Sequence, residues 1–222
     1  MPEATSQKLH RVVLVEDHLM FREWLGEMLT RGQCEICGES DNIRDALTVI
    51  LDTRPDIVIV DISLKGSSGL ELIKDLRAQK VDVPVLVLSM HDEVLYAERA
   101  LRAGARGYIS KNEATATLSH AIQHVLSGHV YLGEKMTSAV LDRMAGREPR
   151  SSTTGLEVLA DRELEVFRLI GRGCTTREIA AQLRLGETTV ETYRARIKDK
   201  LHLRNTAALA TRAAQWVQET GG

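Results

Sequence analysis

The sequence predicts an α/β domain, a doubly wound sheet of five parallel strands, followed by a small all-α domain of four helices. Three observations carry this. Residues 10–128 alternate short apolar runs with segments of helical periodicity, the pattern of strand–helix units around a parallel sheet. Two runs, Ile57–Val60 and Val85–Leu88, are wholly β-branched or leucine, as expected where both faces of a sheet are covered. After Leu156 no strand-like run remains, and apolar residues recur at spacings of three and four.

Strands are expected near 11–15, 34–39, 56–60, 84–89 and 107–110. Pro84 opens the fourth, where its missing N–H does least harm. Helical stripes lie between and after them: Phe21, Leu25, Met28 and Leu29; Ile43, Leu47, Ile50 and Leu51; Leu70, Ile73 and Leu76; Leu95, Ala100 and Leu101; Leu118, Ile122, Val125 and Leu126. A short helix over 134–145 would use Met136, Val140, Leu141 and Met144. Residues 146–155 are rich in Gly, Pro, Ser and Thr and read as a flexible linker. The chain thus divides into a domain at 10–128, a linking segment with a short helix at 129–155, and a domain at 156–222. The last domain holds helices near 161–172, 176–183, 187–201 and 205–217. Asp161 is a candidate N-cap, and Thr175 with Glu178 three residues on reads as a capping box. Arg184-Leu185-Gly186 is a short turn, which makes the second and third of these helices a helix-turn-helix candidate.

The bulk composition is that of a soluble globular protein. Of 222 residues, 43% are hydrophobic and 27% charged, while aromatics at 4% force an aliphatic core. The net charge of -2 hides an asymmetry. Residues 1–156 carry 18 Lys and Arg against 22 Asp and Glu; residues 157–222 carry 11 against 9. The basic tail hints at a polyanionic partner. No apolar run reaches the ~18 residues of a membrane span, and Met1–His10 lacks a signal peptide's apolar stretch, so a cytoplasmic location is expected. Cys34 and Cys37 have C-x-x-C spacing, but no second pair completes a four-ligand zinc site; two small buried side chains are the simpler reading.

Four apolar runs end in residues suited to a phosphoryl group: Glu16-Asp17, Asp61, Ser89 and Lys111. In a parallel α/β sheet, ligands bind at the carboxyl ends of strands near a topological switch point. Crowded there, Glu16, Asp17 and Asp61 would repel one another without a cation. Mg²⁺ suits them, since it takes oxygen ligands and keeps several waters. Asp17 and Asp61 would bind it directly, Glu16 through water, and Ser63 through its backbone carbonyl. Asp61 would attack an incoming phosphoryl group in line, with Lys111 as a point charge and the Ser89 hydroxyl donating to phosphoryl oxygens. Each residue alone has a plain alternative: an Asp after a strand as a turn residue, a Lys after a strand as solvated surface.

Glu16-Asp17, Asp61 with Gly69 eight residues later, Ser89, and Tyr108 three residues before Lys111 together resemble the receiver domain of bacterial response regulators. The resemblance covers residues 10–128. It implies a flavodoxin-like fold, phosphorylation of Asp61 by a sensor histidine kinase, and a switch in which the Ser89 hydroxyl moves to the phosphoryl group while the Tyr108 ring turns inward. The segment after Asp61 lacks the family's frequent Met-Pro, Asn112 replaces a frequent Pro, and Met90 stands where a small residue is usual.

In the last domain, Glu187–Leu201 places Val190, Ile197 and Leu201 on one stripe and turns polar residues elsewhere. By charge alone it is a solvated amphipathic helix or a major-groove reader. Leu159-Ala160-Asp161-Arg162-Glu163, Arg177-Glu178-Ile179-Ala180, Thr189-Val190-Glu191-Thr192-Tyr193 and Lys200-Leu201 resemble the LuxR-type helix-turn-helix, and with the receiver the NarL/FixJ class. That resemblance implies base contacts at Glu191, Thr192 and Ala195. It implies phosphate or backbone contacts at Thr176, Arg177, Thr189, Tyr193, Arg196 and Lys200, and a homodimer through the last helix. Ala160 and Asp161 replace the family's frequent Thr-Pro.

The leading expectation is a phosphorylation-controlled, DNA-binding transcriptional regulator using Mg²⁺, with no enzymatic turnover beyond its own phosphorylation and dephosphorylation. The rivals are an aspartyl phosphatase or phosphotransferase, against which Ser63 stands where a second Asp would serve as general acid, and an inert receiver. From the opposite charges, the acidic receiver is expected to dock on the basic module and hide its reading helix or last helix.

Overall fold

A computed structural model of the chain describes residues 9–64, 67–90, 94–145 and 155–220. Its elements run β1 (His10–Val15), α1 (Leu19–Arg31), β2 (Cys34–Ser40), α2 (Ile43–Thr53), β3 (Ile57–Asp61), a two-stranded hairpin of β4 (Ser63–Leu64) and β5 (Ser67–Ser68), α3 (Gly69–Ala78), β6 (Val85–Ser89), α4 (Val94–Ala103), β7 (Gly107–Ser110), α5 (Ala114–Leu126), β8 (Tyr131–Leu132) and α6 (Glu134–Met144). After a 3-10 turn at Leu156–Val158 come α7 (Asp161–Gly171), α8 (Thr176–Leu183), α9 (Glu187–Lys200) and α10 (Thr206–Thr220).

The main sheet is parallel, in the order β2-β1-β3-β6-β7-β8. It has one strand more than the five expected. Gly128, at φ +86, turns the chain after α5 so that Tyr131 and Leu132 pair with Gly107 and Tyr108. Two residues are too few to show a strand's period in sequence.

Period-two alternation sends successive side chains to opposite faces. Val13, Val15, Val58, Val60, Val85, Val87 and Tyr108 lie on one side with α2, α3 and α4. Val12, Leu14, Ile57, Ile59, Leu86, Leu88 and Ile109 lie on the other with α1 and α5. Cys34 and Cys37 sit in β2 as unbridged thiols, Cys34 buried. α2 starts on Asn42, whose side chain accepts the Asp45 N–H at 3.0 Å.

In the helical module Trp216 and Phe167 are buried against each other, 5.8 Å between ring centroids. The expected capping box at α8 is formed: Thr175 Oγ1 accepts the Glu178 N–H at 3.3 Å, and Glu178 Oε2 accepts the Thr175 N–H at 2.7 Å. The start of α7 differs from expectation. Ala160 holds the N-cap position and donates its N–H to Glu163 Oε2 at 2.7 Å, so Asp161 is the first helical residue and its carboxylate is used elsewhere. Of the expected linker 146–155, only Gly155 is described.

The two parts pack together. The apolar cluster on the α2–α4 side of the sheet runs on into Leu156, Leu159 and the core of the helical module. Asp161 takes Lys74 Nζ of α3 at 2.7 Å and Arg99 NH1 of α4 at 2.9 Å, while Arg99 NH2 donates to the Leu156 carbonyl at 3.0 Å. Arg162 donates to the main-chain carbonyls of Leu64, at 2.8 Å, and Ser67, on the two strands of the hairpin.

Gly69, singled out by its spacing from Asp61, closes this region. Its N–H donates to the Ile62 carbonyl at 2.7 Å, and a Cβ there would stand 2.0 Å from the Asp61 carbonyl oxygen. The clash is with backbone, which cannot turn aside as a side chain does. Gly69→Ala should therefore destabilise the protein by about 1–3 kcal/mol, the usual range for overpacking. A urea midpoint within error of wild type would refute this.

Candidate functional site

The order of strands reverses between β1 and β3, and the carboxyl ends of these two strands supply the acidic residues. Glu16 and Asp17 follow β1, and Asp61 ends β3. Ligand atoms of Glu16, Asp17, His18 and Asp61 all lie within 4.8 Å of one another. Lys111 reaches in from the end of β7. Its Nζ is 2.7 Å from Glu16 Oε2 and 2.8 Å from Asp61 Oδ2, and it stands 4.5 Å from the centroid of the Phe21 ring. The Lys111 N–H donates to the Ser89 carbonyl at 2.8 Å, which ties β7 to the end of β6. Ser89 itself is buried.

Burial dominates the electrostatics. It pushes the Asp61 carboxyl above its ordinary value; the Lys111 ammonium opposes that shift, Glu16 adds to it, and the Ser63 N–H favours the ionised form. Burial draws Lys111 down, but the two carboxylates outweigh it and hold the ammonium firmly charged. Asp61 Oδ1 is buried without a hydrogen-bond partner of normal geometry. A buried carboxylate oxygen left in this state, beside two further acids, fits a site that receives a cation.

The residues expected at the site are thus placed as follows. Glu16, Asp17, Asp61 and Lys111 converge, Ser63 lies two residues beyond Asp61 in β4, and Ser89 closes β6. Tyr108 lies inside the core, 1% exposed. Met90 points to solvent. His18 had no sequence signal beyond its position, yet its Nδ1 lies 3.0 Å from Asp17 Oδ1 and 3.1 Å from Glu16 Oε1.

The helical module also contributes to this region, which sequence reasoning missed. Arg184, in the left-handed turn after α8, is 3.5 Å from Asp17 Oδ2. Arg162 pairs with Glu165, and both are buried. Burial raises the Glu165 carboxyl from 4.5 to about 7; Arg162 works against the rise and Asp61 adds to it. The one available signal was Asp161, an acid standing where the resembled family often has proline.

The expected docking occurs, but not where net charge placed it. Asp161 of the basic module binds Lys74 and Arg99 of the acidic one, so the local pairing runs opposite to the overall charges. Among the described residues, the Arg184–Asp17 pair alone follows them. The reading helix is not hidden. Arg177, Thr189, Glu191, Thr192, Ala195, Arg196 and Lys200 are exposed, and Thr176 and Tyr193 are half-buried. Four are engaged within the module: Glu191 Oε1 accepts the Thr176 hydroxyl at 2.6 Å, the Thr192 hydroxyl donates to the Thr188 carbonyl at 2.9 Å, and Lys200 Nζ lies 2.6 Å from Glu163 Oε2. The outer face of α10, with Ala207, Ala210 and Thr211, is exposed as well.

Residues 12–123 match the response regulator receiver domain, and residues 157–213 match the bacterial regulatory proteins of the luxR family. The chain is 34% identical over 203 residues to the transcriptional activator protein ExaE of Pseudomonas putida, covering 89% of this chain and 92% of that one. It is 31% identical over 199 residues to a nitrate/nitrite response regulator protein homolog of Haemophilus influenzae, covering 89% and 93%. Among solved structures, the response regulator ChrA of a heme-sensing two-component system is similar at 29% identity and a TM-score of 0.51, over 94% of this chain and 98% of that one. RcsB of Salmonella typhimurium shares the fold at 21% identity and a TM-score of 0.64, over 94% and 98%.

The raised Glu165 carboxyl gives a pH dependence of known sign. The folded chain keeps a proton that the unfolded chain loses near 4.5. Its stabilisation is complete below that value and is lost as pH rises through about 7. Urea unfolding of the full chain should weaken between pH 5 and 8, by no more than about 3 kcal/mol. Glu165→Gln should flatten the slope; an unchanged slope in that variant would assign it to another group.

Proposed function

This chain belongs to the bacterial response regulators, a receiver joined to a LuxR-family DNA-binding domain, and we propose that Asp61 is its phosphoacceptor. The observation that carries this is the buried Asp61 carboxylate, which shares the Lys111 ammonium with Glu16 at the strand-order reversal. Glu16, Asp17, Asp61 and the Ser63 carbonyl would hold Mg²⁺, which when bound neutralises charge on the transferring phosphoryl oxygens. Asp61 attacks phosphorus in line. A P–O bond forms to the carboxylate as the donor's P–N bond breaks, and the imidazole of a sensor kinase's phosphohistidine leaves with the electron pair. Lys111 holds one phosphoryl oxygen and the Ser89 hydroxyl donates to another, with Tyr108 packed beside them in β7.

The chain is then a regulator whose own phosphorylation is its chemistry, acting in the cytoplasm. No helix among the described residues is long and apolar enough to cross a membrane. Its α9 enters the major groove of double-stranded DNA. Glu191, Thr192 and Ala195 face base edges; Thr176, Arg177, Thr189, Tyr193, Arg196 and Lys200 approach phosphates or the backbone. The exposed, small-residue face of α10 supports homodimerisation there on activation. Two reading helices about one DNA turn apart would select a pseudo-palindrome.

Acetyl phosphate with Mg²⁺ should add one phosphate to the wild-type chain by intact mass and none to Asp61→Asn. Label persisting on that variant would move the phosphoacceptor elsewhere. In a mobility shift, Arg196→Ala should weaken binding to all duplexes alike and reduce the slope of affinity against salt by about one phosphate contact. Thr192→Ala should alter sequence preference instead. Salt-independent binding by the wild-type chain would remove α9 from the groove.

A further inference from the structure

We propose that the turn joining α5 to β8 is a binding site for a late first-row divalent metal ion, with His120, His124 and His129 as its ligands. The site is separate from the acidic pocket at Asp61 and does not depend on the role given to that pocket.

The backbone brings these three residues together. His120 and His124 are four positions apart on α5, so their side chains lie one above the other on one face. The helix then ends in a Schellman motif. Gly128 takes φ +86, its N–H donates to the Val125 carbonyl at 3.0 Å, and the His129 N–H donates to the His124 carbonyl at 3.2 Å. This motif sets the side chain two places beyond the C-cap against the one three places before it, and the contact is commonly apolar. Here histidine fills both places. The His124 ring stands 5.1 Å from that of His129 and 6.0 Å from that of His120, centroid to centroid. Tyr131 meets both rings of the helix edge-on, at 5.6 Å from His120 and 5.9 Å from His124. Its own N–H is fixed to the Arg106 carbonyl at 2.9 Å, so the tyrosine is a stop anchored in the sheet.

Three of the chain's seven histidines thus share one corner. As packing, the arrangement achieves little. His120 and His129 are exposed, so little apolar area leaves water, and protonated rings this close would repel. As a chelate it is well made. Zn–N bonds of about 2.0–2.1 Å at a tetrahedral angle place two ring centroids about 5 Å apart. His124 and His129 already have that spacing. His120 stands about 1 Å too far, a gap that rotation of an exposed side chain closes. Imidazole suits Zn²⁺, Ni²⁺ and Cu²⁺, whereas Mg²⁺ takes oxygen, so this corner and the acidic pocket select different ions. A bound ion would tie the end of α5 to the start of β8, the edge strand of the sheet.

The test is a Zn²⁺ titration of the full-length chain in excess Mg²⁺, followed in the ¹H–¹⁵N spectrum of the histidine rings and by calorimetry. Wild type is compared with His120→Gln, His124→Gln, His129→Gln and His18→Gln, with circular dichroism checking the fold of each. The His18 arm is needed because His18, with Glu16, Asp17 and Asp61, forms another group able to hold a metal. The rings of His120, His124 and His129 should shift together over one equivalent of Zn²⁺, in wild type and His18→Gln alike. Each of the other three variants should bind that equivalent at least about tenfold more weakly, the loss seen even when a residue supporting a ligand is removed. Shifts confined to His18, or binding lost in His18→Gln, would overturn the site. So would wild-type affinity in His124→Gln and His129→Gln. His10 and His202 shifting in step with the three would show unselective surface binding and overturn it equally.

Discussion

Three carboxylates gathered at the ends of two neighbouring strands would not stay folded and ionised on their own. Each is nearly withdrawn from water, and like charges in a low dielectric repel strongly. The Lys111 ammonium, bonded at once to Glu16 and Asp61, is what lets them coexist. It demands that β7 lie beside β6 and that β6 lie beside β3, so that a residue at the end of the fifth main strand can reach an aspartate two strands away. The parallel order, the burial of both sheet faces and the tight hairpin after Asp61 all serve that convergence. The Phe21 ring under the ammonium adds a further stabilising contact from α1.

The same concentration of charge shapes the second module's position. A strongly charged pocket draws opposite charge, and Arg184 answers to Asp17. Yet the better-formed pairs have the reverse polarity, an acid of the basic module held by two bases of the acidic one. Net charge counted over a whole domain says little about such an interface, because screened charges more than about 10 Å apart hardly interact. The docking rests on the shared apolar cluster, a few ion pairs and two main-chain carbonyls.

Much of this was legible in sequence because it rests on periodicity and spacing. β3 and β6 announced themselves as unbroken aliphatic runs, and Gly69, eight residues after Asp61, came through the resemblance to the receiver family. Thr175 and Glu178 gave away the start of α8. β8 was not legible, since two residues carry no period. Asp161 was misread as an N-cap because Asp commonly fills that role, while its actual partners lie 62 and 87 positions away. Arg162 and Glu165 were equally silent: on a helical wheel they form an ordinary i,i+3 pair, and only tertiary packing buries them. The exposed reading helix reversed an expectation built on charge alone.

The two grips of α7 on the receiver differ in kind. Asp161 recognises side chains, Lys74 and Arg99, which another receiver need not possess. Arg162 recognises the carbonyls of Leu64 and Ser67, which any chain folding into the same hairpin presents whatever its side chains. Chimaeras that graft this helical module onto a foreign receiver will therefore inherit the main-chain grip and lose the ionic one. Such hybrids should sit less tightly closed than the parent, and returning Lys and Arg at the positions of Lys74 and Arg99 is the pair of changes that would recouple them.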